Sequence, residues 1–405
     1  MGNLYTCRIS WQRVLKHLAL TPMNGIFIPA TPASTQSEGC AKIPHMDGKL
    51  LGERIAQARG DLSITQEHLA NRVGIERTAL GRAEKGERKL SAVELVNLAA
   101  ALEVPLAWFV RDPLPAVVSR RTDAGPSHEV TARLDRQLEL FAGDVASLLE
   151  GGVISPVAER PSWRTPKTHS EAERVATEVR SHLGMGNKPI VGLAGAAERF
   201  GLFSCSLALG DGGADGAVVQ IDSGVAAAVI DGDAKPGRRR MSLAHELGHW
   251  LFGDPYDLGV DDAEKMINSF AAYLLAPRSG VVALWNQYVA DSVRDRTIRV
   301  AAAFRMSWSS VVLHLRNLGL IGDDEFRVLN GNAPVYGEFA KLGIMLEAEE
   351  LRAPLLSPGI TSAIIEAYVD RRMSAARAVE LLRGCLTVDD LPEQRAESIA
   401  DYVSL

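Results

Sequence analysis

Cysteine is scarce in this chain. Its 405 residues hold four, Cys7, Cys40, Cys205 and Cys385, and no two stand in a Cys-x-x-Cys pair. That scatter argues against a zinc ribbon or a disulfide scaffold and fits a reducing, cytoplasmic setting. Long apolar runs are missing as well. None approaches the roughly 20 residues that a membrane-spanning helix needs, so no membrane partner is expected. There is no excess of positive charge: the formal net charge is −6, so any nucleic-acid surface must be local. No internal repeat is present. Acidic residues are absent before Glu38, and residues 1–47 lack the uninterrupted apolar stretch of a secretory signal. With the low-complexity run from Thr31 to Gly39, these residues read as a disordered leader, or as a start placed upstream of a natural one at Met46.

What is present is enough apolar residue, 46%, for two or three domains with cores of their own. The stretch around which the chain is organised is Ala244-His245-Glu246-Leu247-Gly248-His249-Trp250. On a helix, His245 and His249 lie one turn apart on one face. Two imidazoles so placed grip one metal ion from the same side. Glu246 stands beside the first of them, where a carboxylate can take a proton from an activated water. A helix with two unrelated histidines is the plain alternative.

Zinc takes a third protein ligand and keeps an open position. The following stretch, Asp261 to Pro277, reads as a helix whose apolar face is Ile267, Phe270, Ala271 and Leu274. Glu264 projects near that face, where a lone carboxylate is costly unless it binds something. Asn268, one turn on, is placed to orient a ligand. Asp261 and Asp262 suit the partial positive charge of the helix start and remain fallback ligands.

Residues 48–112 carry a second pattern. Thr65 or Ser63 caps a helix with Leu69, Ala70 and Val73 on its apolar side. Gly74 permits a tight turn. The next helix, Glu76 to Gly86, buries Leu80 and Ala83 and leaves Arg77, Thr78 and Arg82 outward. From Arg72 to Lys89 there are six Lys or Arg against three Glu, a local positive surface of the kind phosphates require. A helical bundle that binds protein is the plain alternative here.

Between the two patterns, residues 113–165 read as a linker holding one amphipathic helix (Val130, Leu134, Leu138, Phe141, Val145, Leu148, Leu149), expected to pack within the chain. Within 166–320, Ser170 with Glu173 suggests a capping box. Short strands are expected at 202–207, 216–221 and 225–230, the last offering its edge to an extended substrate. Residues 321–405 read as a helical C-terminal region with no catalytic constellation. The fold class is therefore mainly α with a small β-sheet, an α+β protein.

Two resemblances follow from these residues. Residues 49–110, with the small residue after Leu69, the turn glycine and the exit Arg82-Ala83-Glu84-Lys85-Gly86, resemble the repressor/Cro-like, XRE-type helix-turn-helix family. This implies double-stranded DNA as partner, Gln66 at a phosphate, Arg77, Thr78 and Arg82 at base edges, and a homodimer on paired half-sites. Residues 170–320, with Ala-His-Glu-Leu-Gly-His and then Glu264, Asn268 and Phe270-Ala271-Ala272, resemble the ImmA/IrrE family of metallopeptidases. This implies a zincin-like domain with Zn²⁺ on His245, His249 and Glu264 and Glu246 as general base. It also implies cleavage of a repressor or antitoxin partner. Mn²⁺ or Fe²⁺ suits the same donors. A transcription factor whose metal domain only senses or scaffolds, and the toxin half of a toxin–antitoxin pair, are the alternatives.

Overall fold

The structure is a computed structural model that describes residues 47–102, 104–110, 119–122, 128–158, 161–210, 214–253, 260–346 and 350–395. The expected leader lies outside them. Five helices come first: α1 (Gly48–Asp61), α2 (Gln66–Val73), α3 (Arg77–Glu84), α4 (Ala92–Ala101) and α5 (Leu106–Val110). Thr65, not Ser63, caps α2, its hydroxyl accepting from the His68 amide at 3.1 Å. Gly74 ends α2 at φ 75°, where a Cβ is unfavourable. Ser91 and Glu94 form a capping box on α4. The bundle closes over buried Ile55, Leu69, Leu80, Leu98 and Phe109.

Helix α6 (His128–Glu150) carries the expected stripe, with Leu134, Leu138, Phe141, Val145 and Leu148 buried. Arg136 on α6 is buried. It donates to the carbonyls of Ala58 at 2.9 Å and Leu102 at 3.2 Å and pairs with Asp61 at 3.0 Å. It thus gives the Leu102 carbonyl at the end of α4 a donor and adds a second donor to that of Ala58, which also accepts from the Leu62 amide at 3.3 Å.

The sheet has five strands: β1 (Ser119–Thr122), β2 (Leu202–Leu207), β3 (Ala214–Asp222), β4 (Val225–Asp231) and β5 (Leu355–Leu356), in the order β1-β3-β4-β2-β5. β4 pairs antiparallel with β3 and parallel with β2. The expectation that 226–230 offers a free edge is therefore wrong, because its amides and carbonyls are used on both sides. The unbroken apolar run Val225 to Ile230 is the mark of a strand covered on both faces. β1 was not expected at all.

Eight helices share a core with Val218, Ala228 and Ile230 on one face of the sheet: α7 (His169–His182), α8 (Leu193–Glu198), α9 (Pro236–Phe252), α10 (Val260–Leu275), α11 (Arg278–Gln287), α12 (Val293–Phe304), α13 (Trp308–Asn317) and, through Leu329, α14 (Asp323–Asn330). After α15 (Tyr336–Lys341), the chain returns as α16 (Pro358–Val369) and α17 (Ala375–Leu381). These two, with α6, cover Ala217, Ala227 and Val229 on the opposite face. Stretches that read as linker and tail thus supply one wall of the sheet core. Thr168, not Ser170, caps α7, and Glu173 instead pairs with Arg278 at 2.7 Å. No helix among the described residues is long and apolar enough to cross a membrane.

His314 fastens α13 to the end of α10. Its Nε2 lies 2.8 Å from the Ala276 carbonyl and its ring meets Tyr273 edge-on at 4.9 Å. Burial pushes its pKa from the usual 6.5 down to about 4. The unfolded chain therefore takes up this proton first as pH falls. The stabilising contribution is intact above about pH 6.5 and is lost as pH falls through 4, up to about 3 kcal/mol. Urea unfolding of the metal-free chain between pH 7.5 and 4 should show a shallower pH slope in His314→Gln than in wild type; parallel slopes would contradict this role.

Candidate metal centre and nucleic-acid interface

α9 begins where Pro236 supplies a helical φ without a donor to satisfy. Three successive arginines then anchor it. Arg238 pairs with Asp215 of β3, Arg239 donates to the Gly232 carbonyl at 2.9 Å, and Arg240 pairs with Glu350 and donates to the Ile190 carbonyl at 2.9 Å. From Arg239 to Phe252 every residue is buried. The helix is a buried rod, and His245, Glu246 and His249 are carried inside it.

α10 crosses α9 at Gly248. A Cβ at Gly248 would stand 3.0 Å from Ile267 Cγ2 and 3.0 Å from Phe270 Cδ1. Absence of a side chain there lets the two helices approach closely enough for Glu264 to reach the histidines. His245 Nε2 lies 3.1 Å from Glu264 Oε2, His249 Nε2 lies 3.2 Å from Glu264 Oε1, and the two Nε2 atoms are 3.0 Å apart. A tetrahedral ion with bonds of about 2.0–2.1 Å has ligand–ligand edges of about 3.3 Å, so the three separations fit such an ion. Burial alone would raise the Glu264 carboxyl, yet its contacts with both histidines hold it well below the usual carboxylate range. Glu264 is thus an anion in the position where a cation is to be bound.

Asn268 sits one turn beyond Glu264, and its Oδ1 is 3.1 Å from His245 Nδ1. A proton on Nδ1 donated to that oxygen leaves the Nε2 lone pair facing the other two ligand atoms. Glu246 is fully buried beside β3. Opposite it lies Gly216, where a Cβ would be 3.6 Å from Glu246 Cγ and only 3.0 Å from Ile230 Cδ1 and the Val229 carbonyl. Of the fallback ligands, Asp262 is exposed and pairs with Lys265 at 3.0 Å, and the Asp261 side chain lies outside the described residues. Among the described residues, His245, His249 and Glu264 form a group able to hold a metal ion. Gly216 and Gly248 were not singled out from the sequence, although a glycine inside a strand and one inside a helix each signal a close approach.

In the helical bundle, Arg77, Thr78 and Arg82 are exposed on α3, with Arg72, Lys85 and Lys89 exposed around them. Gln66 is placed differently. Its amide donates to Glu84 at 2.7 Å, and Glu84 also accepts from Arg59 at 2.7 Å. It faces an internal network that ties α2 to α3 and α1.

Two substitutions follow from this geometry. Gly248→Val should separate α9 from α10, at a stability cost of about 1–3 kcal/mol, and weaken zinc binding at least tenfold. Asn268→Ala should leave stability near wild type and weaken zinc binding about 10- to 100-fold. Competition with a chromophoric chelator measures both; wild-type zinc affinity in either variant would contradict the arrangement.

Comparison with known proteins divides the chain in the same way. Residues 55–109 match the helix-turn-helix family model, and residues 207–316 match that of the IrrE N-terminal-like domain, a peptidase family. An uncharacterized transcriptional regulator in the ATPase CF(0) region of Rhodospirillum rubrum is 37% identical over 70 residues, and the match spans 17% of this chain and 64% of that protein. Among solved structures, the restriction-modification controller protein C.AhdI from Aeromonas hydrophila is 33% identical over 15% of this chain and 92% of its own, with a TM-score of 0.15. Bacillus thuringiensis PlcR in complex with the peptide PapR7 and DNA is 12% identical over 82% of this chain and 91% of its own, with a TM-score of 0.16. The chain therefore joins an XRE-type helix-turn-helix domain to an IrrE N-terminal-like domain of the peptidase class.

Proposed function

We propose that this protein is a cytoplasmic DNA-binding transcriptional regulator that carries a zinc-dependent endopeptidase and cleaves a repressor or antitoxin partner. The observation that carries the reading is the convergence of the His245, His249 and Glu264 ligand atoms beside a fully buried Glu246. A site that only scaffolds has no physical need for the last carboxylate. His245, His249 and Glu264 would hold the ion, and Zn²⁺ there would supply Lewis acidity toward a scissile carbonyl. Glu246 accepts the proton of the attacking water and delivers it to the departing amine nitrogen. Asn268 orients His245. Water excluded by the buried helix strengthens each of these electrostatic effects. Mn²⁺ and Fe²⁺ suit the same donors.

Arg77, Thr78 and Arg82 point outward from α3, which supports their use at base edges in the major groove. Gln66, held by Glu84, reaches a phosphate only by leaving that network. A homodimer on paired half-sites supplies the remaining affinity.

Both halves are testable. Zinc-loaded protein incubated with a proteome-derived peptide library should generate new termini, read by mass spectrometry. Glu246→Gln should keep the metal and lower the cleavage rate by about 10²–10⁴-fold; equal cleavage by this variant would refute the peptidase reading. In the second half, sites selected from random DNA should be bound more weakly by Arg77→Ala and Arg82→Ala. An arginine that neutralises a phosphate should, once replaced, flatten the log–log salt dependence by about 0.9; selected DNA bound equally well by both variants would remove α3 from the interface.

A further inference from the structure

We propose that β1 is an internal occupant of the edge at which an extended peptide substrate docks, so that the chain blocks its own cleft until this strand is displaced. The inference rests on the peptidase reading for what the edge is used for, and on the sheet for what lies there now. β4 is paired on both sides, and β2 is paired with β4 and β5. The side of β3 away from β4 is therefore the sheet edge nearest the active-site helix. Gly216 on β3 faces Glu246. An extended chain added antiparallel to β3 at this level would bring its carbonyls alongside the general base.

That position is taken by Ser119–Thr122. β1 runs antiparallel to β3, with Ser119 opposite Val218, Arg120 opposite Ala217, Arg121 opposite Gly216 and Thr122 opposite Ala214. Arg121 is thus level with the glycine that faces Glu246. β1 also packs against α9 itself. It is four residues long, and the ladder is interrupted between Arg121 and Thr122. A pairing so short and irregular is weak enough for a longer strand to replace. Its place in the chain, between the helix-turn-helix bundle and α6, makes the occupant part of the connection between the two domains.

The test needs neither metal nor turnover, so it can fail while the peptidase reading stands, and the reverse. Successive strand amides point to opposite sides, so Arg120→Pro with Arg121→Pro removes whichever of the two donates to β3. A fluorescein-labelled peptide of residues 116–125 is added in trans to full-length, metal-free protein. Anisotropy should show at least tenfold tighter binding to this double variant than to wild type, and the β3 amides should exchange hydrogen faster in the variant until peptide is added. A second variant, Ser119→Cys with Val218→Cys, should form a disulfide that prevents binding and reverses on reduction. Equal binding to both chains, binding to neither, unchanged β3 exchange, or no disulfide at that pair would each overturn the proposal.

Discussion

Two helices must approach closely at Gly248 before Glu264 can meet His245 and His249. Everything else around the centre serves that approach. Ile267 and Phe270 fill the space that a side chain at Gly248 would have occupied, and burying such a phenylalanine contributes about 1.5–3 kcal/mol. The same packing sets the rotation of α10, so that Glu264 and Asn268, one turn apart, both face the histidines. Two imidazole nitrogens 3.0 Å apart beside one carboxylate make a poor arrangement in the absence of a cation and a suitable one with it.

The sheet supplies the other half of the setting. β4 runs through its middle, and β3 brings a glycine to Glu246. Arg238, Arg239 and Arg240, which in sequence look like a basic patch, each make a separate internal bond that fixes the start of α9. The opposite face is closed by α6, α16 and α17. Arg136 of α6 reaches into the ends of α1 and α4, so one helix supports both the sheet and the helix-turn-helix bundle.

Much of this was legible in the sequence, because local rules govern it. The four-residue histidine spacing, the turn glycine Gly74, the cap Thr65 and the stripe of α6 depend only on neighbours within a helix. The meeting of Glu264 with the histidines was legible because a carboxylate beside an apolar face needs a partner. The errors came where partners are distant. Strand 226–230 looked available because pairing on both sides is a property of the sheet, not of the strand. Four residues at 119–122 carry too little pattern to announce β1. Gln66 is a different case: the resemblance places it at a phosphate, and its hydrogen bond to Glu84, eighteen residues on, is a contact that no local pattern announces. Ser170 lost the cap to Thr168 because both are good capping residues and Arg278, far along the chain, engages Glu173.

Zinc K-edge X-ray absorption of the protein loaded with one equivalent of Zn²⁺ tests the centre most directly. Two imidazole nitrogens and carboxylate oxygen are expected at about 2.0–2.1 Å, with the outer-shell scattering of two histidine rings. Sulfur at about 2.3 Å, or a first shell without two imidazoles, would contradict it.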